Sequence, residues 1–150
     1  FGRGPLEAEL RRRIAAGALA ERVTFAGFRA DAVTLAAGCD VIAHPAEREG
    51  LGVALLEAAS AGVPVVACAV GGVTDVIVDG ETGLLVGRDD AAGFAAALAR
   101  LCADADMRRK LGAAARRRAE REFGIGALVS AHLDLYARVA RAALPAATLP

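Results

Sequence analysis

Glu49-Gly50-Leu51-Gly52-Val53-Ala54-Leu55-Leu56-Glu57-Ala58-Ala59-Ser60-Ala61-Gly62-Val63-Pro64-Val65-Val66 decides how this chain folds. The glycines bracket a loop and a helix expected from Val53 to Ala61, stopped by Gly62, after which Pro64 leads into a Val/Ala strand. Only Glu57 and Ser60 interrupt the apolar run of Ala54, Leu55, Leu56, Ala58, Ala59 and Ala61, and a helix apolar nearly all round belongs in an interior. A carboxylate on it needs a buried partner or a cleft of hydrogen-bond donors, because an unpaired buried charge is costly. Glu49 stands just ahead of the same helix. Gly50 and Gly52 beside it lack side chains, so a ligand can approach the backbone amides at the helix start.

That chemistry narrows the ligand. Amides at a helix start favour phosphate, whereas carboxylates repel phosphate and accept hydrogen bonds from hydroxyls, best from a vicinal diol. A molecule carrying both a diphosphate and diols fits, and nucleotide-sugars are of that kind. Spacing alone leaves a second reading equally open, in which Glu49 complements the helix dipole and Glu57 faces solvent at the helix edge.

Outward from this stretch, strand and helix signals alternate. Upstream, Leu6 to Leu19 reads as an amphipathic helix, Arg22 to Ala26 as a strand, and Asp31 as the cap of a short helix to about Ala37. Asp40 to His44 is an apolar strand with no alternation, as suits one covered on both faces. His44 closes that strand at the end where open α/β sheets place their ligands, which makes it a candidate for lining the site. Downstream, Val63 to Ala69 is a buried strand. Gly71 and Gly72 then offer bare amides at the start of a helix through Val78, Asp79 to Gly83 is a turn, and Leu84 to Val86 a last strand. Asp89 or Asp90 caps a helix to about Cys102 with Phe94, Leu98 and Leu101 inward, and Asp104 caps another to about Glu122. A final helix spans about Ile125 to Ala143. The expected class is α/β, a parallel sheet with helices on both faces.

Composition sets further bounds. With 150 residues, 55% of them hydrophobic, one domain with one core is the expectation. Lys plus Arg and Asp plus Glu balance at 18 each, so the basic excess of a nucleic-acid binder is missing. The Arg-rich faces read as solvated surface. Cys39, Cys68 and Cys102 are odd in number and widely spaced, which predicts buried reduced thiols in the cytoplasm and no metal site. The apolar stretch around residues 50 to 73 is long enough to test as a membrane span, but Glu57, Pro64 and the glycines argue against it. No signal peptide is visible at Phe1.

Pro45-Ala46-Glu47-Arg48-Glu49-Gly50-Leu51-Gly52, then Leu56-Glu57-Ala58, Gly62-Val63-Pro64-Val65-Val66-Ala67 and Gly71-Gly72, resemble the C-terminal domain of family-4 (group 1) retaining glycosyltransferases with the GT-B fold. The signature of that family is two glutamates with seven residues between them, matched here by Glu49 and Glu57. The resemblance implies that Glu49 contacts hydroxyls of the transferred sugar, that Glu57 holds the ribose diol, and that Gly50, Leu51 and Gly52 give backbone contacts. It adds Gly27 and Phe28, after the expected strand, as contacts to the base. Ala46 replaces the usual Ser, Leu51 the frequent Phe as an apolar plug, and Asp75 the common Glu.

On this resemblance residues 1–143 form a Rossmann-like nucleotide-sugar-binding domain and residues 144–150 a frayed tail. Phe1-Gly2-Arg3-Gly4-Pro5 opens as if cut at the end of a strand, so the first strands, an Arg/Lys pair for the diphosphate and the N-terminal acceptor domain are expected to be missing. The implied substrate is a UDP-, GDP- or ADP-sugar, used without a cofactor or an obligatory metal. Any membrane association would come through the missing domain. The alternatives are a non-catalytic nucleotide or protein-interaction domain of the same fold, and a related GT-B enzyme such as a sugar epimerase or a glycogen/starch-type synthase.

Overall fold

The structure, a computed structural model, describes residues 2–143; the expected tail at 144–150 lies outside the described residues. Among those residues three short parallel strands, β1 (Ile42–His44), β2 (Val65–Cys68) and β3 (Leu84–Val86), form one sheet in the order β1-β2-β3. The register pairs Ile42 with Val65 and His44 with Ala67 on one side of β2, and Val66 with Leu84 and Cys68 with Val86 on the other.

β2 is the axis of the core. Every residue of it is buried, and the period-2 alternation of a strand divides its side chains between two layers. Val65 and Ala67 pack against Leu55 and Ala58 of α3 (Val53–Ser60) and Val73 and Val76 of α4 (Val73–Val76). Val66 turns the other way, onto Leu84, onto Ala97 and Leu101 of α5 (Ala91–Ala103), and onto Leu111 of α6 (Ala105–Glu122). Helices therefore cover both faces, and the α/β expectation holds. α6 also runs across α3, where Ala59 meets Ala115 and Ala119. A Cβ on Gly112 of α6 would stand 2.0 Å from the Gly62 carbonyl oxygen, so only glycine permits that approach.

Local chemistry accounts for the helix starts. Asp90 accepts the Gly93 N–H at 2.7 Å and Asp104 the Met107 N–H at 2.8 Å, each satisfying an amide that the first turn leaves unpaired. Asp31 stands at the start of α2 (Ala32–Ala36) without capping it, because its carboxylate is taken by Arg29 at 2.7 and 2.8 Å. α7 spans Ile125–Ala143, as expected. On the exposed face of α6 Arg116 pairs with Glu120, whereas Arg118 is half-buried, pairing with Glu122 and donating to the Asp75 carbonyl at 3.0 Å.

Several expectations fail. α1 covers only Glu7–Ala15 and gives way to turns before Gly17, a residue that costs a helix about 1 kcal/mol relative to alanine. Arg22 closes a turn, and residues 23–26 belong to no sheet: the open edge of β1 is not paired with them, and a strand exists only through a partner. What ties this segment down is Arg11, whose guanidinium lies 4.2 Å from the centre of the Phe25 ring, and the Gly2 N–H, which donates to the Gly27 carbonyl at 2.7 Å. The helix at 53–60 is not interior all round: Leu55, Ala58 and Ala59 are buried, whereas Val53, Ala54 and Ser60 are exposed. Of the three thiols, all free, only Cys68 is buried; Cys39 is half-buried and Cys102 exposed. Among the described residues no helix is long and apolar enough to cross a membrane.

Candidate functional site

Parallel pairing puts the C-terminal ends of all three strands on one side of the sheet, and the loops that follow them meet there. Between these loops lies an open cleft of about 440 Å³, lined by Glu47, Arg48, Glu49, Ala69, Val70, Gly71 and Arg88. A volume of that order suits a small ligand, and strand C-termini are where open α/β sheets bind theirs.

Glu49 is held on both carboxylate oxygens. His44, last in β1, reaches Oε2 with Nε2 at 3.0 Å, and the Gly50 N–H donates to Oε1 at 3.1 Å. The two side chains are 22% and 27% exposed, shielded enough for the contact to persist and open enough for a ligand to reach the acid. The carboxylate keeps further lone pairs for incoming hydroxyls.

The loop carrying Glu49 lies flat against the loop after β2. The Gly72 N–H donates to the Gly50 carbonyl at 2.8 Å. A Cβ on Gly71 would fall 2.0 Å from the Glu49 carbonyl oxygen, and one on Gly72 would fall 1.9 Å from that of Gly50. Both glycines are therefore required by backbone contact. The expectation of a bare amide at Gly72 is corrected, since that N–H is spent inside the protein.

At the start of α3, Gly52 has the left-handed φ of +78°, and its carbonyl accepts from the Leu55 and Leu56 amides. The Val53 and Ala54 amides carry no hydrogen bond among the described residues, and no side chain caps this helix end. Leu51, expected as an apolar plug, is exposed beside them and plugs nothing.

The structure brings His44, Glu49, Gly50, Gly71 and Gly72 together. Glu57 is half-buried in the second turn of α3; with Val53, Ala54 and Ser60 at helical spacing it belongs to the more open side of that helix, and it does not line the cleft. Gly27 and Phe28 are not brought there either. Gly27 lines a separate hollow of about 570 Å³ between α1 and residues 23–27, walled by Leu6, Leu10, Ile14, Val23 and Phe25, and Phe28 is largely exposed. That hollow is larger and mainly apolar, with Arg3 and Glu7 in its wall; the smaller cleft gathers Glu47, Arg48, Glu49 and Arg88. Among the charged lining residues, Glu47, Arg48 and Arg88 were not expected from the sequence, and Arg88 is the one far from the Glu49 loop in sequence. Its position two residues past β3, at the same strand ends as His44, is the signal that marks it.

Residues 1–118 match the family described as glycosyl transferases group 1. The chain is 41% identical over 102 residues to the D-inositol 3-phosphate glycosyltransferase of Xylanimonas cellulosilytica, an alignment covering 68% of this chain and 24% of that protein. HepE from Anabaena, solved with UDP and with UDP-glucose, superposes with TM-scores of 0.82 and 0.79 at 28% identity, over 87% of this chain and 36% of HepE. Sucrose-phosphate synthase from Thermosynechococcus elongatus gives a TM-score of 0.79 at 33% identity, over 95% of this chain and 38% of that one. The chain spans about a quarter to a third of the length of the curated relatives it matches.

Proposed function

From the premise that the chain belongs to the group 1 glycosyl transferases, with the Rossmann-like fold of GT-B enzymes, we propose that residues 1–143 are the donor-binding domain of a retaining glycosyltransferase. It holds a nucleoside-diphosphate sugar while an acceptor hydroxyl, bound by another part of a longer protein, receives the sugar. The observation that carries this reading is Glu49, fixed on both oxygens at the lip of a cleft that Arg88 also lines at the strand ends.

In this reading the donor sugar lies over Glu49, which accepts hydrogen bonds from its hydroxyls. Glu57 takes the ribose diol across the open side of α3. The Val53 and Ala54 amides and Arg88 face the diphosphate, whose negative charge grows on the leaving nucleotide as the glycosidic bond breaks. HepE, solved with UDP and UDP-glucose, makes UDP-sugars the first donors to test. Neither glutamate serves as a nucleophile: both position the donor. The chain alone is therefore expected to bind without turning over.

Calorimetry with UDP-glucose, UDP, GDP and ADP tests the proposal. Glu49→Ala is expected to weaken UDP-glucose about 10- to 100-fold, the loss of hydrogen bonds to a charged group, while leaving UDP nearly unchanged. Sugar transfer by the purified chain, abolished by Glu49→Ala, would contradict the division of labour. Absence of nucleotide binding, even with the upstream basic segment of a relative grafted on, would favour a non-catalytic domain.

A further inference from the structure

We propose that His44 is a positioning residue, one that acts on the donor sugar by fixing the carboxylate of Glu49 before any ligand arrives; the proposal rests on the donor-site reading above. The two partners differ in how firmly the backbone holds them. His44 is paired in register with Ala67 of the wholly buried β2 and is followed by Pro45, which restricts its backbone to extended conformations. Glu49 lies in an irregular loop between β1 and α3. A long side chain on such a loop samples several rotamers unless something anchored elsewhere restrains it, and a ligand that must order it binds more weakly. His44 supplies the restraint from a strand hydrogen-bonded to the buried β2, and the Gly50 N–H fixes the second oxygen.

The geometry dictates the state of the ring. An ionised carboxylate only accepts, so the proton of a neutral His44 sits on Nε2. The chain has one other histidine, and it requires the opposite form: His132 Nδ1 lies 2.8 Å from the Leu128 carbonyl oxygen, which also only accepts. Two histidines of opposite tautomer form a built-in control.

The experiment uses the 150-residue chain labelled with ¹⁵N. In alkaline buffer, long-range ¹H–¹⁵N spectra are expected to show His44 protonated at Nε2 and His132 at Nδ1, and His44→Leu to remove only the first signature. Titrations followed by NMR, which read millimolar affinities, then compare UDP-glucose with UDP. His44→Leu is expected to weaken UDP-glucose about 10-fold and to leave UDP within about 2-fold, because the histidine acts only through the sugar-facing acid. His44→Gln places an amide donor near the former Nε2 and is expected to recover most of the loss, which also guards against a Leu variant that misfolds. A His44 protonated at Nδ1 overturns the proposal. So does a loss shared equally by UDP and UDP-glucose, the mark of a purely structural role, or no loss of either. A wild-type chain that binds neither ligand overturns instead the donor-site reading, and the role of His44 falls with it.

Discussion

α1 and α6 are written in the same amphipathic code, yet they end differently. Leu111 of α6 is 1% exposed and Leu101 beside it fully buried, whereas Leu10 of α1 is 43% and Leu6, just ahead of that helix, 61% exposed. α7 stands with α1: Leu128, Leu133, Tyr136 and Val139 are exposed along its length. Periodicity specifies which face of a helix is apolar but not whether anything covers it. In this chain the covered faces belong to elements packed around β2, and the uncovered ones flank that core. The candidate site sits on the covered side of this division, where its geometry is held from beneath by packed strands.

Substitutions can break this contrast. Leu55→Ala or Leu111→Ala is expected to cost about 2–5 kcal/mol by leaving a cavity in a packed core, while Leu10→Ala and Leu133→Ala should stay within about 0.5 kcal/mol. Denaturant midpoints read the difference, and similar costs at all four positions would mean that α1 and α7 are as covered as the core. A second pair probes the site loops. A methyl on Gly72 collides with the Gly50 carbonyl, whereas one on Gly50 meets nothing within 4 Å. Gly72→Ala should therefore lose about 1–3 kcal/mol by overpacking and loosen the Glu49 loop, with Gly50→Ala near neutral in stability. Equal stability of the two variants would contradict the back-to-back loops.

Smaller effects sharpen the picture. Arg88→Ala, at the cleft, is expected to weaken UDP and UDP-glucose alike by about 3- to 10-fold, less than a buried charge-assisted contact because the cleft is open to solvent. Arg117→Ala, on the solvated face of α6, should change neither; a calorimetric series in which both arginines behave alike would remove Arg88 from the site. Smallest of all is the response to acid. Hydrogen bonds from Arg29 and Arg121 hold the Asp31 and Glu122 carboxyls below their ordinary range. A carboxyl held lower in the folded state stabilises above its unfolded value, near pH 4, and that stabilisation is lost as pH falls through the folded value. Both carboxyls are solvent-exposed, so Arg29→Ala should melt only slightly below the parent at pH 7 and match it at pH 3. A large difference at pH 7 would show Asp31 to be shielded from solvent.

What the sequence disclosed follows the range of the physics involved. Asp90 and Asp104 could be read as caps because a cap bonds an amide three residues on, and Glu49 with Gly50 and Gly52 marked the cleft because loop, glycine and helix start are contiguous. Arg22 to Ala26 could not be read correctly, because β-branched and aromatic content says nothing about whether a partner strand is present to pair with it. Gly71 and Gly72 were legible as glycines but not as contacts, since the carbonyls they press against lie more than twenty residues away. His44 was visible as a residue at a strand end. Its partner was not, because the bond to Glu49 depends on how the intervening loop folds back.

A structure of the chain with UDP-glucose bound decides where the donor lies. The expected arrangement has the glucose hydroxyls within hydrogen-bond distance of Glu49, the ribose beside Glu57, and His44 still on Oε2. A donor lodged in the apolar hollow between α1 and residues 23–27, with Glu49 untouched, would contradict it.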